Sequence, residues 1–265
     1  MTLHHALDAG VLTLRIDRQD RMNALDGPTA TALIDALGAI ERDVRVVVLT
    51  GTGNAFSTGA DIAEMAASQP RTPEEHRMAA EETMQTASTL VRAVIDAPVP
   101  VIAQVNGIAA GIGASMALAS DLVYASEDAS FLLAFTTVAL MPDGGSSLLV
   151  PAAIGRVRAS AMALLAEPMT AADAESAGLI NRVLPPDDLG SHVEKIARRL
   201  ARGPRRALEL TKRALTASTL ALLDDAFERE RQGQTELLTA PEFREGINAV
   251  LDHRRPSFER ESPQT

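Results

Sequence analysis

Apolar residues follow two rhythms along this chain. In the first half, short β-branched runs such as Val11–Ile16 and residues 44–49 alternate with stretches of helical period such as residues 29–41. That alternation predicts an α/β fold. Residues 46–49 are followed by Gly51 and Gly53, and residues 99–105 by Gly107, Gly111 and Gly113, so two buried strands are expected to run into glycine-rich loops. Each loop leads into a helical segment, at residues 61–67 and 112–119. Glycine lets the backbone approach a ligand at a helix N-terminus, and two such termini can face one ligand. A long helix is predicted over residues 74–95, with Pro73 at its start and Pro98 and Pro100 beyond its end. From Asp187 onward the pattern is almost wholly helical, with breaks near Gly203-Pro204 and Ala240-Pro241. This part is expected to pack on the core or on a neighbouring subunit. Leu208, Leu215, Leu222 and Leu223 fit such a contact better than a membrane face. The polar tail after Pro256 is expected to be disordered.

Composition narrows the function classes. With 265 residues, 46% of them hydrophobic, the chain can build one large core or a core with a small appendage. Thirty-five acids against 25 bases give a net charge of −10, and no Lys/Arg-dense stripe is present, which argues against nucleic acid as a partner. Without cysteine there are no disulfides, no thiolate chemistry and no Cys-ligated zinc. The histidines, at 4, 5, 76, 192 and 253, lack metal-ligand spacing, and no acid cluster has that of a calcium loop, so no metal site is expected. No run of about 18 apolar residues is free of charge, and the first residues do not read as a leader. A cytoplasmic protein with no membrane partner is the expectation.

Few side chains are placed for chemistry. Gly107, Gly111 and Gly113 have the spacing of a dinucleotide-binding loop. A dehydrogenase of that type needs a tyrosine with a lysine four residues on, whereas the single tyrosine, Tyr124, has Asp128 there; a tight turn with close helix packing accounts for the glycines better. Ser57, Ser115 and Ser146 lie near glycines but not in a nucleophile elbow. Asp143, in Met141-Pro-Asp-Gly-Gly145, follows an apolar run over residues 131–140. Pro-Asp-Gly is a turn signal, and a carboxylate at the end of an apolar segment can also be desolvated into a proton carrier near neutrality. The two readings are compatible.

Arg21-Met-Asn-Ala-Leu25, VVVLTGTGNAFSTGADIAEM over residues 46–65 and PVIAQVNGIAAGIGASMALASD over residues 100–121 resemble, in order and separation, the enoyl-CoA hydratase/isomerase (crotonase) family. The likeness continues through residues 131–145, 171–183 and 250–258. It implies a spiral of β-β-α turns over residues 1–202 and a helical region over 203–265 that makes homotrimers, often paired as hexamers. The acyl-CoA thioester is the implied substrate, with no other cofactor. The resemblance assigns an oxyanion hole to the backbone N–H groups of Ala60 and Ile112, the second commonly glycine. For CoA it points to the backbone at Ala24 and Leu25 and to Asn54, Asp61 and Ile62. Phosphate attraction falls to Arg21, His253 and Arg254, with Arg255 beside them and Lys212 as a lesser candidate.

In hydratases of this family two glutamates hold a water, and those positions are Ser115 and Phe135 here, expected to line the acyl pocket instead. Neither side chain can activate water. Asp143 matches the single acid of double-bond isomerases in the family, so isomerisation of an enoyl-CoA is the expected reaction. Phenylacetate-pathway isomerases are similar over residues 134–144. Hydration, another reaction of the family and non-catalytic acyl-CoA binding are the alternatives. An aryl-CoA dehalogenase using Asp143 as nucleophile fits less well, with six Phe, one Tyr and no Trp. Glu64, Glu81 and Glu82 are further acids, each expected on a solvated helical face.

Overall fold

The computed structural model describes residues 2–67 and 72–258; the tail expected to be disordered lies largely outside them, at residues 259–265. Among the described residues ten strands form two sheets. In chain order they are β1 (Leu3–Asp8), β2 (Val11–Ile16), β3 (Val46–Gly51), β4 (Ala55–Ser57), β5 (Val101–Val105), β6 (Ile108–Ala110), β7 (Leu122–Ser126), β8 (Ser130–Leu132), β9 (Met169–Thr170) and β10 (Arg182–Leu184). The helices are α1 (Gly27–Gly38), α2 (Ile62–Ala67), α3 (Pro73–Asp96), α4 (Ile112–Leu118), α5 (Ser146–Leu165), α6 (Ala171–Ala177), α7 (Pro186–Ala201), α8 (Arg205–Thr219), α9 (Leu223–Leu238) and α10 (Pro241–Leu251).

The larger sheet runs β1-β2-β3-β5-β7-β10 and the smaller β4-β6-β8-β9. Beyond the β1–β2 hairpin the larger sheet is parallel. β3, β5 and β7 each pass directly into the next strand of the smaller sheet, and the chain then returns through helices, which produces the β-β-α spiral. The continuous apolar run of β3 follows from burial on both faces. Val46 and Val48 pack toward Leu189, Val193 and Ala197 of α7, while Val47 and Leu49 face the main core. Phe56 and Phe131, fully buried on strands of the smaller sheet, belong to that main core.

Several boundaries differ from the sequence expectation for local reasons. α1 begins two residues early because Asp26 accepts the Thr29 N–H at 2.9 Å and Pro28 suits the first turn. The C-terminal helices are broken a third time, between α8 and α9. The leucines there divide, Leu223 buried and Leu215 and Leu222 exposed. Among the described residues α5 is the one helix long and apolar enough by composition to cross a membrane, but it carries Arg156 and Arg158 and kinks at Gly155.

Candidate functional site

The site begins where two loops touch. Leu25 and Ala60 form an isolated parallel bridge: the Leu25 N–H donates to Gly59 O at 2.7 Å and the Asp61 N–H to Leu25 O at 3.0 Å. In extended backbone successive groups point to opposite edges, so the Ala60 N–H faces away from Leu25. Ile112 is the first residue of α4, where an N–H has no intrahelical acceptor. Gly59 brings the loops together, since a Cβ there would lie 2.8 Å from Ala110 O and 3.4 Å from the Ile112 nitrogen.

The neighbouring glycines serve the same packing. A Cβ on Gly107 would meet Asn54 O at 1.9 Å, and one on Gly113 would meet Ser57 O at 2.5 Å. Close approach of one loop to the other, rather than a dinucleotide cradle, accounts for this glycine spacing.

Ala60 and Ile112 both line a cavity of about 740 Å³ whose walls come from α1, α2, α3, the end of α9 and α10. Leu25 and Asp61 lie on it, as do Leu90, Phe243 and Ile247 on its apolar side. Glu64 and Glu82 also reach the wall while remaining exposed, in keeping with a solvated helical face, and Glu81 pairs with Arg77 at 2.6 Å. Asp143 is not among the residues on the wall. Ile112 is, and its Cδ1 packs directly against Gly144.

Asp143 sits in a turn and is buried, so both readings of its motif hold. Its carbonyl accepts the Ser146 N–H at 3.1 Å and the hydroxyls of Ser115 at 2.9 Å and Ser146 at 2.7 Å, while Gly144 and Gly145 take positive φ. The side chain accepts from Gln234 Nε2 at 2.8 Å through Oδ2; Oδ1 is buried without a hydrogen-bond partner among the described residues. Burial pushes the carboxyl up to about 7, the Gln234 bond opposes this, and the charge of Glu230 adds to it. An acid of this kind exchanges protons readily near neutral pH. Phe135, buried, approaches Gly111, and the Ser115 hydroxyl is spent on the Asp143 carbonyl; neither residue is on the cavity wall, which corrects their expected place in the acyl pocket.

The other expected ligand residues are scattered more widely. The Asp61 carboxylate caps α2 through the Ala63 and Glu64 N–H groups and pairs with Arg18 at 2.9 Å; its own N–H donates to Leu25 O and its carbonyl accepts the Met65 N–H, so its backbone is already paired. Burial raises this carboxyl, but the Glu64 N–H and Arg18 together hold it below its usual range. Arg18 also bonds Ala24 O and pairs with Asp26 at 3.1 Å. Asn54 and Arg21 are exposed on the loops flanking this knot. His253, at φ 53°, and Arg254, gripped by Glu245 at 2.6 and 2.8 Å, follow α10 outside the cavity. Lys212 is corrected: its amine is buried on Asp121 at 2.8 Å, Val94 O at 3.0 Å and Val99 O at 3.4 Å, and is not presented to a phosphate. Among the described residues no group of three His, Asp or Glu is arranged to hold a metal.

Sequence reasoning missed Arg18, Glu230 and Gln234. The partners of Glu230 and Gln234, and the Asp61 partner of Arg18, are distant in sequence, and the polar stretch around Gln234 reads as a solvated helix.

This fold, with its paired glycine loops and cavity, defines a class: the chain belongs to the enoyl-CoA hydratase/isomerase family, whose sequence profile matches residues 6–261. It is 36% identical over 251 residues to the 2,3-dehydroadipyl-CoA hydratase of Escherichia coli, covering 94% of each chain. Similarity to the 1,2-epoxyphenylacetyl-CoA isomerase of the same organism is 34% over 254 residues, covering 95% of this chain and 96% of the relative. A crystal structure of an enoyl-CoA hydratase from Mycobacterium avium subsp. paratuberculosis superimposes with a TM-score of 0.88 at 43% identity, covering 98% of this chain and 99% of that one. Both hydratase and isomerase names thus occur among its relatives.

Proposed function

We propose that this protein is an acyl-CoA double-bond isomerase that works with a single acid, Asp143. The observation that carries the reading is a buried carboxylate with one unpartnered oxygen and a pKa near 7, beside positions where the family's hydratases hold two glutamates and this chain holds Ser115 and Phe135. In the proposed reaction Asp143 takes a proton from C2 of a 3-enoyl-CoA. The C–H electron pair moves into C1=C2 and the thioester oxygen becomes anionic, held by the N–H groups of Ala60 and Ile112. As the carbonyl re-forms, the electrons shift into C2=C3, those of C3=C4 capture the returned proton at C4, and Asp143 is again ionised. No water enters the balance.

In this reading the CoA arm passes the backbone of Ala24 and Leu25 and of Asp61 and Ile62, with Asn54 nearby and Arg21 available to phosphate. His253 and Arg254, outside this chain's own cavity, would serve a neighbouring subunit in a trimer built through residues 203–265. The test is turnover of wild type and Asp143→Asn with 3-enoyl-CoA and 2-enoyl-CoA. Isomerisation by wild type alone, with acyl-CoA binding retained in the variant, supports the reading. Equal hydration by both proteins sinks it, and binding without turnover of either substrate makes the protein an acyl-CoA carrier.

A further inference from the structure

Glu230 and Gln234 stand one turn apart on α9, both fully buried, and neither has a part in the mechanism above. Gln234 links two points of the Asp143 loop. Its Oε1 accepts the Met141 N–H at 3.2 Å, and its Nε2 donates to Asp143 Oδ2 at 2.8 Å. The first bond settles the second: with the amide oxygen turned to a backbone donor, the NH₂ must face the carboxyl. Glu230 holds the other end. Its Oε2 accepts the Gly145 N–H at 2.8 Å and its Oε1 the Ser147 N–H at 3.1 Å, capping α5 where Gly145 has no side chain to do so. Gly233, between them on α9, lets Met141 Sδ press on the helix, where a Cβ would come within 2.3 Å. Three points of one helix thus hold residues 141–147.

We infer that Gln234 is a positioning residue for Asp143: it binds Oδ2, fixes the carboxyl plane and leaves Oδ1 as the single oxygen that removes the proton at C2 and returns it at C4. The inference rests on the isomerase reading. A 1,3-shift needs an acid that keeps its geometry in both protonation states. A neutral amide suits this, because Oδ2 accepts the same N–H whether the group is a carboxylate or an acid protonated on Oδ1. A lysine or arginine in its place would hold Asp143 ionised and weaken it as a base. The charged group facing Asp143 is Glu230 of α9; α4 and α5 present the hydroxyls of Ser115 and Ser146, which bond the Asp143 carbonyl instead. The amide bond lowers and the Glu230 charge raises the pH at which Asp143 ionises, so the two residues act in opposite directions on one group.

The experiment is a set of pH–rate profiles for isomerisation of a 3-enoyl-CoA by wild type, Gln234→Met, Gln234→Glu, Glu230→Gln and Asp143→Asn, with a thermal melt of each. Gln234→Met is expected to lower kcat about tenfold or more, the scale of a misplaced catalytic group, with little change in KM. Its acid limb should move to higher pH, and that of Gln234→Glu further still. Glu230→Gln should move the limb to lower pH. Loss of packing alone would not move the limb in opposite directions for two neighbouring residues. If Gln234→Met does not fold, the opposed shifts of Gln234→Glu and Glu230→Gln decide the matter. If Asp143→Asn abolishes turnover while the limb stays fixed in the other variants, this inference fails and the isomerase reading survives. If Asp143→Asn turns over like wild type, both fail.

Discussion

Arg18 Nη2 stands 2.9 Å from Asp61 Oδ2 and 3.1 Å from Asp26 Oδ2, while Nη1 bonds Ala24 O, so one largely buried guanidinium joins both segments proposed to bind the CoA arm. A planar, permanently charged fork is suited to holding three acceptors at once. Arg18→Met is expected to raise KM for acyl-CoA about tenfold with a smaller change in kcat, since the backbone at Ala24, Leu25 and Ala60 loses its brace. Steady-state kinetics check this; an unchanged KM would remove Arg18 from substrate binding.

Lys212 should matter for stability, not for substrate. Its amine meets Asp121 at 2.8 Å and two carbonyls, one at the end of α3 and one two residues before β5. Lys212→Met leaves the Asp121 carboxylate without its cation, at a cost of about 3–5 kcal/mol. Adding Asp121→Asn should recover part of that loss. Urea denaturation of the two variants gives the comparison, and KM for acyl-CoA should stay at the wild-type value in both.

Gly107→Ala is expected to destabilise the protein by about 3 kcal/mol or more, because the new methyl would sit 1.9 Å from Asn54 O, a backbone atom that cannot swing away. Calorimetry and turnover should fall together. A folded, active Gly107→Ala protein would show that the two loops are not tightly packed.

Ile112 stands on the cavity wall with its Cδ1 on Gly144, next to the acid. Trimming it to alanine widens the route to Asp143. Ile112→Ala is expected to raise kcat/KM for branched or aromatic acyl groups about tenfold relative to short linear ones, the scale of a few methylenes in an apolar pocket. Competition between paired substrates measures this ratio directly.

Asp143 should also leave a mark on stability against pH. With its carboxyl at about 7 in the folded protein and near 4 unfolded, the native state binds the proton more tightly. Its contribution is whole below about pH 4 and is lost as pH rises through about 7. Asp143→Asn cannot ionise. It is therefore expected to match wild type near pH 4 and to be more stable at pH 8, by about 2–4 kcal/mol. Parallel melts at the two pH values decide this; equal stabilities at pH 8 would mean that Asp143 is solvated.

Much of the fold was legible because its cause is local. β2 was read at its full extent from one β-branched run, and α3 to within a residue at each end, because proline bounds it and Thr72 and Glu75 close a capping box. The break at Gly203-Pro204 has the same origin. The break between α8 and α9 was not seen, since the residues there, Leu220, Ala221 and Leu222, are good helix formers and the chain turns on them only so that Leu223 and Phe227 can reach the core.

The site divides along the same line. The Gly-rich loops, Pro-Asp-Gly and the absence of glutamate at Ser115 and Phe135 are properties of the chain itself, and the sequence alone determined the family and the candidate acid from them. Only the tertiary structure decided what surrounds that acid. Gln234 lies 91 residues away and approaches because one face of a polar helix is buried against the loop. Lys212 reads as a free cation until packing encloses it with Asp121. Local patterns report the backbone's own preferences, which act over a few residues. Desolvation and the pairing of buried charges depend on which distant segments close over them, and that is set when the whole core packs.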